Sequence, residues 1–312
     1  MDRRDFIRTA GIAAAGAAIA PHIAHAGERQ EHMQTRPLGR TGWNASIIAM
    51  GGIVVMSEEQ ERANEIVRHA ISEGVNYFDV APTYGDAEIK LGEALKAYRK
   101  DVFLACKTAQ RTRDGAAKEL EASFKRLQTD HFDLYQLHGL DKLEELDVAL
   151  GPGGAMEIIL EAKRAGHIKH IGITGHKPAT HLEAIKRFPF DTVMLPVNFA
   201  LMHHDPSTQD LLAELARREI GILGIKPIAA RPWHKDEVRG APKCWYKPLD
   251  DPRLIDLALR FALMQGITAA IPSGDPHLFR RVLVSARHSK PLVAEEEDEL
   301  RRLAESLEPL FA

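Results

Sequence analysis

From Ser46 onward, short apolar runs alternate with longer segments whose apolar positions recur every three or four residues. The short runs fall at residues 46–50, 76–81, 102–107, 132–138, 170–174, 192–197, 221–225 and 268–271. The amphipathic segments fall at 58–72, 87–98, 114–127, 155–164, 178–187, 207–217, 252–263 and 276–285. Strand-sized runs each followed by a helix-sized segment predict parallel strands joined by right-handed crossovers. The eight units with their regular spacing predict a closed (β/α)8 TIM barrel, an α/β fold, over an open doubly wound sheet. The first run ends in MGGIVVM, which lacks the glycine spacing of a dinucleotide-binding turn. A last amphipathic segment at 294–307 opens on EEEDE, where carboxylates complement a helix dipole.

Two connections exceed a minimal barrel loop, at 139–154 and 228–251. The second carries Trp233, His234, Trp245 and Tyr246, aromatic groups suited to the wall of a substrate pocket or to packing beneath a long loop. No linker or composition break interrupts the barrel pattern, so residues 27–312 are expected to form one domain.

The first 26 residues follow a different pattern. Arg3 and Arg4 precede Phe6 and Ile7, a mild apolar run TAGIAAAGAAIA follows, and Ala24-His25-Ala26 offers a small-residue cleavage site. Charged start, short apolar core and small-residue site make a secretory signal. The paired arginines resemble the twin-arginine export signal, although Asp2 stands where Ser or Thr is usual. The expectation is export by the twin-arginine machinery to the periplasm or cell envelope. The formal net charge of -3 predicts no strong attraction to nucleic acid or anionic membrane. Two cysteines, Cys106 and Cys244, are too few for a disulfide framework and carry no metal-ligand spacing.

Candidate chemistry lies at the ends of consecutive strands. Asp79 ends one run, Tyr84 follows in the loop of YFDVAPTYG, Lys107 ends VFLACK and His138 ends FDLYQLH. Catalytic groups of a (β/α)8 barrel sit at the C-terminal strand ends and the loops after them. A phenol is a weak acid, with a reference pKa of about 10. A nearby ammonium from Lys107 is expected to stabilise its phenolate and lower that value. Asp79 is expected to pair with and hold the lysine, and His138 to donate a hydrogen bond to a substrate oxygen. The set suits proton transfer to an oxygen, as in carbonyl reduction or alcohol oxidation. Taken singly, each residue also has a structural reading: Asp79 as a cap, Lys107 in an ion pair, His138 in the core, Tyr84 packed over the barrel end.

These segments resemble the aldo-keto reductase family over roughly residues 33–287. RPLGRTG resembles its opening β-hairpin. FDVAPTYG with Glu88, Leu91 and Gly92, then LACKT and YQLHG, resemble its most specific signatures. By this match Asp79, Tyr84, Lys107 and His138 correspond to the catalytic tetrad. The resemblance implies a barrel with an N-terminal β-hairpin, no metal, and a nicotinamide cofactor, usually NADPH, with NADH an alternative. It also implies a small-molecule carbonyl or alcohol substrate and direct hydride transfer, with Tyr84 as general acid in reduction.

The cofactor half departs from the family's habit. IGITGH resembles the segment that ends strand five, with Thr174 in the place of a serine and Gly175 in the place of an asparagine. Met194 stands where many members carry glutamine, Asn198 is retained, and Ile225 stands near an aromatic stacking position. Lys226 offers a positive group near the pyrophosphate. Ser273 and Gly274, before a helix start, offer backbone N–H groups to phosphate. Arg280 and Arg281 lie slightly beyond the place of the arginine that binds a 2′-phosphate. The alternative function is a non-redox barrel protein, an isomerase, lyase or small-molecule binding protein with a relic nicotinamide site. Oligomeric state is not legible, and a monomer is compatible with everything above.

Overall fold

The computed structural model describes residues 33–311. The expected export signal and its cleavage site lie outside the described residues.

Eight parallel strands form one sheet: β3 (Met50–Gly51), β4 (Tyr77–Asp79), β5 (Phe103–Thr108), β6 (Phe132–Leu137), β7 (Ile168–Thr174), β8 (Thr192–Pro196), β9 (Gly221–Ile225) and β12 (Ala269–Ile271). Each pairs with its sequence neighbour in this series, from β3 to β12. The first and last meet where Ala49 N donates to Ala270 O at 2.9 Å and Ala270 N donates to Ile47 O at 2.8 Å. That bridge closes the (β/α)8 barrel the apolar runs predict. It also splits the first run, because Ile47 and Ile48 bridge to β12 before Met50 and Gly51 join β4.

Alternation along the strands sorts side chains into two cores. Tyr77, Phe103, Ala105, Leu134, Met194, Leu223, Ala269 and Ile271 point into the barrel. The opposite faces pack under the surrounding helices in a larger cluster. An N-terminal hairpin of β1 (Thr35–Pro37) and β2 (Asn44–Ser46) plugs the barrel floor, with Leu38 fully buried in the inner core. The tyrosine and phenylalanine at the floor leave the upper end of the barrel for smaller and ionisable groups.

The helices begin and end as their sequences dictate. Thr112 caps α3 (Arg113–Leu127) by accepting from Gly115 N, and Gln128 closes that helix in the left-handed region at φ 51°. Asp251 caps α9 (Pro252–Met264) and Asp275 caps α10 (Pro276–Arg287), each followed by proline in the first turn. α11 (Ala294–Glu305) follows with three glutamates in its first turn.

The two long connections are not irregular. The first contains α4 (Leu143–Leu150), which at eight residues is too short for a helical period to show. The second forms a hairpin of β10 (Ala229–Pro232) and β11 (Tyr246–Pro248), with the segment between them reaching over the barrel mouth. Both cysteines are free and buried.

Candidate active site

Inward alternation carries the chemistry. Tyr77 and Asp79 on β4, Ala105 and Lys107 on β5, and Leu134, Gln136 and then His138 on and just after β6 follow the period of two. The upper member of each set is polar, so the barrel interior changes from aromatic floor to ionisable ceiling within one strand length.

Lys107 is fully buried. Its Nζ donates to Asp79 Oδ1, to Val80 O at 3.2 Å and to Tyr84 OH at 3.3 Å. Burial by itself would strip the lysine of its proton, but the charges of Asp79 and Tyr84 outweigh burial and raise its pKa. The ammonium therefore persists and also lies 4.8 Å from the centre of the Tyr84 ring. Asp79 is held from the other side by Gln136 Nε2, which donates to Oδ2 at 2.9 Å.

The Tyr84 pKa departs from the sequence expectation. Burial raises it, and this outweighs the opposing pull of Lys107. The phenol consequently stays protonated across the neutral range, the state a proton donor requires. His138 meets the Tyr84 ring edge-on at 5.7 Å between centroids. Burial, with the charges of Lys107 and Arg111, pushes its pKa down to about 3. It is a neutral imidazole at pH 7, able to donate one hydrogen bond without gaining charge.

The loop carrying His138 is fixed by residues outside the motif. Arg111 donates to His138 O at 2.8 Å and Gly139 O at 3.1 Å, and pairs with Glu145 of α4 at 2.8 Å. Thr174 Oγ1 accepts from Gly139 N at 2.9 Å, which ties the end of β7 to the same loop.

Tyr84, His138 and Asp79 line a cavity of about 270 Å³ at the barrel mouth. Its opposite wall holds Thr174, Met194, Ile225, Lys226, Ser273 and Gly274. Trp245 and Tyr246 complete the rim, as expected for the second long connection. Trp233 instead anchors that segment, donating from Nε1 to Cys244 O at 2.8 Å, and His234 is exposed.

Gly175 shows why the family's asparagine has no counterpart here. A Cβ at Gly175 would lie 2.7 Å from Asp141 Oδ1 and 2.8 Å from Leu140 O. Asp141 occupies the space and accepts from His176 N at 2.5 Å and from His176 Nδ1 at 2.9 Å.

Of the expected cofactor residues, Thr174, Lys226, Ser273 and Gly274 reach the cavity. Asn198 does not line it: its Oδ1 caps the short helix α7 (Phe199–His204) by accepting from Leu201 N at 2.8 Å. The first N–H groups of α10 are taken by the Asp275 carboxylate, which accepts from His277 N and Leu278 N. Ser273 and Gly274 are thus left as the part of that loop open to a phosphate. Arg280 and Arg281 are exposed and off the cavity.

The donor set fits an uncharged amide-bearing ring better than it fits a cluster of phosphates. Thr174 keeps a hydroxyl hydrogen to donate, and Met194, Ile225 and Ile271 make an apolar bed beside it. Gln136, Arg111, Asp141 and His176 are site residues that the sequence reading passed over. Gln136 was findable, since it sits two residues before His138 on the same inward face.

Comparison with known proteins bears on the family and the fold. A sequence profile described as "Aldo/keto reductase family" matches residues 48–248. The chain is 25% identical over 299 residues to the uncharacterized oxidoreductase YqkF of Bacillus subtilis (strain 168), spanning 85% of this chain and 94% of that protein. It is 29% identical over 217 residues to L-galactose dehydrogenase of Arabidopsis thaliana, spanning 63% of this chain and 66% of that protein. Among solved structures, the holo form of an aldo-keto reductase from Bacillus halodurans matches with a TM-score of 0.69 at 23% identity. That match spans 87% of this chain and 96% of the other, and is a likeness of fold.

Proposed function

The chain belongs to the aldo/keto reductase family, and from that premise we propose that it reduces aldehyde or ketone groups with a nicotinamide nucleotide, Tyr84 serving as the general acid. The observation that carries this reading is the 3.3 Å contact between Lys107 Nζ and Tyr84 OH on the cavity wall, beside a neutral His138.

Thr174, Ser273 and Gly274 are the residues that would hold the nucleotide, with the apolar face of Met194 and Ile225 under its ring. A reduced nicotinamide, when bound, supplies the hydride. The protein's part is to place a carbonyl oxygen between Tyr84 and His138. His138 polarises that oxygen through a hydrogen bond. Tyr84 gives up its phenolic proton as negative charge develops there, and the Lys107 ammonium stabilises the phenolate left behind. Asp79 keeps Lys107 charged, and Gln136 keeps Asp79 in place. In the reverse direction the Tyr84 phenolate takes the proton of an alcohol.

Arg280 and Arg281 lie off the cavity, so the reading covers NADH as well as NADPH. The Arg3–Arg4 segment supports a further part of the proposal, in which the twin-arginine machinery exports the protein folded, to the periplasm or cell envelope. Folded export would allow a nucleotide to be loaded before transport.

Titration with NADPH and NADH, followed by nicotinamide fluorescence, tests the reading. Saturable quenching is expected with at least one of them. Tyr84→Phe is expected to abolish turnover and keep that quenching. An absence of response to both nucleotides would favour the non-redox alternative.

A further inference from the structure

Among the described residues three cations are buried: Lys107, Arg260 and Lys226. Lys107 is paired with Asp79, and Arg260 with Asp256 and Glu296. Lys226, 8% exposed, has no carboxylate within ion-pair distance among the described residues. Taking an ammonium out of water without a counter-charge is costly, so folds seldom leave one in that state.

Lys226 follows β9 directly and lines the same cavity as Tyr84 and His138. Its backbone sits in the left-handed region at φ 60°, a strained position for a lysine and one typical of functional sites. Nζ lies 3.3 Å from His176 Nε2, 5.5 Å from the Trp245 ring centre and 5.6 Å from that of Phe311. The nearby acid, Asp141, is already committed. It accepts from His176 N and Nδ1, so His176 presents Nε2 to the lysine as an acceptor. One of three ammonium hydrogens is satisfied there, and the two ring faces stabilise the charge without supplying an acceptor.

We propose that Lys226, oriented by His176, is a binding subsite for a carboxylate carried by the carbonyl substrate, so that the enzyme prefers short aldehyde or keto acids to neutral carbonyls. The cavity is small, and the charge of Lys226 is close enough to act on the His138 ring. An acid group at Lys226 therefore belongs to a molecule whose carbonyl is only a few bonds away. Burial pushes the Lys226 pKa down to about 7, and a bound carboxylate would restore its charge. This inference rests on the reductase reading. A nucleotide phosphate presents the same anionic oxygens, and the experiment separates the two sources.

The test compares a short-chain aldehyde acid with its methyl ester at saturating nucleotide. A charge-assisted contact predicts that kcat/KM favours the acid by about tenfold or more. In Lys226→Met the acid-to-ester ratio should fall toward one, and Lys226→Arg should retain part of it. A ratio near one in the unaltered protein, or one unchanged in Lys226→Met, would overturn the proposal. So would a loss of nucleotide affinity in Lys226→Met with the ratio preserved, which would assign the lysine to phosphate. Binding is read separately by titrating the nucleotide-free protein with succinate and following Trp245 fluorescence, with Trp245→Phe to assign the signal. A response lost in Lys226→Met supports the subsite even if neither substrate turns over, in which case the reductase reading alone fails. Equal use of acid and ester, with no succinate response, sinks the subsite and leaves the reductase reading standing.

Discussion

Gln136 donates its amide to Asp79 Oδ2 over 2.9 Å, reaching past β5 from β6 to β4. This contact is the far end of a buried line that continues through Asp79 and Lys107 to the Tyr84 hydroxyl. Every member except Tyr84 is shut off from solvent, so the orientation of the phenol's supporting charge is set by protein groups alone.

Replacing Gln136 by leucine should leave one Asp79 oxygen without its donor, at a cost of about 1–3 kcal/mol. Because Gln136 touches neither substrate nor cavity wall, we expect the loss in kcat, on the order of tenfold to a hundredfold, with KM for the carbonyl little changed. The alkaline limb of the rate profile should also move, since Lys107 and Asp79 act in opposite directions on a Tyr84 pKa that burial already raises. Equal effects on kcat and KM, with an unmoved limb, would reduce Gln136 to a packing residue.

Gly172 provides the room that Gln136 needs. A Cβ there would lie 2.3 Å from Thr192 Oγ1 and 3.0 Å from Gln136 Cγ. Gly172→Ala should therefore push Gln136 off Asp79 and cost about 1–3 kcal/mol of overpacking. We expect the kcat loss of Gly172→Ala and Gln136→Leu to be non-additive in the double variant. Full additivity would show that the glycine acts elsewhere.

The barrel was legible because eight apolar runs alternate with eight amphipathic segments, and a closed parallel sheet imposes that rhythm on the chain. Asp79, Lys107 and His138 stood out because ionisable groups end otherwise apolar strands. Gln136 lies inside an apolar run, where one uncharged polar side chain gives no chemical signal of its own. α4 and α7 escaped because helices of eight and six residues present too few turns for a period to show. Asn198 was placed by its motif, whereas its carbonyl is spent on a helix cap. The lowering pull of Lys107 on Tyr84 was legible in the sequence, whereas the larger, opposite effect of burial depends on the depth of the site.

The rate profile should be flat across the neutral range for a neutral carbonyl. His138 has its pKa pushed down to about 3, first by burial, and so gains no proton above pH 5. Tyr84 is held above its ordinary value by burial, so the donor is lost only on the alkaline side of about pH 10. Reduction should fall there, and not before. The check is kcat/KM against pH with a neutral aldehyde, in the unaltered protein and in Lys226→Met. A limb near pH 7 that survives in Lys226→Met would mean that His138 titrates in the working range.

His181 lies fully buried in α6 (Pro178–Arg187), behind Gly175 and near Asp141. Burial pushes its pKa down to about 4, and the Asp141 charge only partly offsets this. The unfolded chain takes up a proton at about pH 6.5, while the folded one resists until about pH 4. Between those values the unfolded state binds more protons, so stability must fall as pH falls. The slope is about 1.4 kcal/mol per pH unit for each such histidine, and His138 adds a second contribution of the same sign. Asp141, with its pKa held down to about 2, contributes in the same direction but only below its ordinary range near 3.8. We therefore expect urea unfolding to show a loss of stability between pH 7 and pH 5 that is smaller in His181→Leu, by about 2 kcal/mol. Equal losses in the two proteins would mean that His181 is already protonated in the folded state, with Asp141 as its counter-charge.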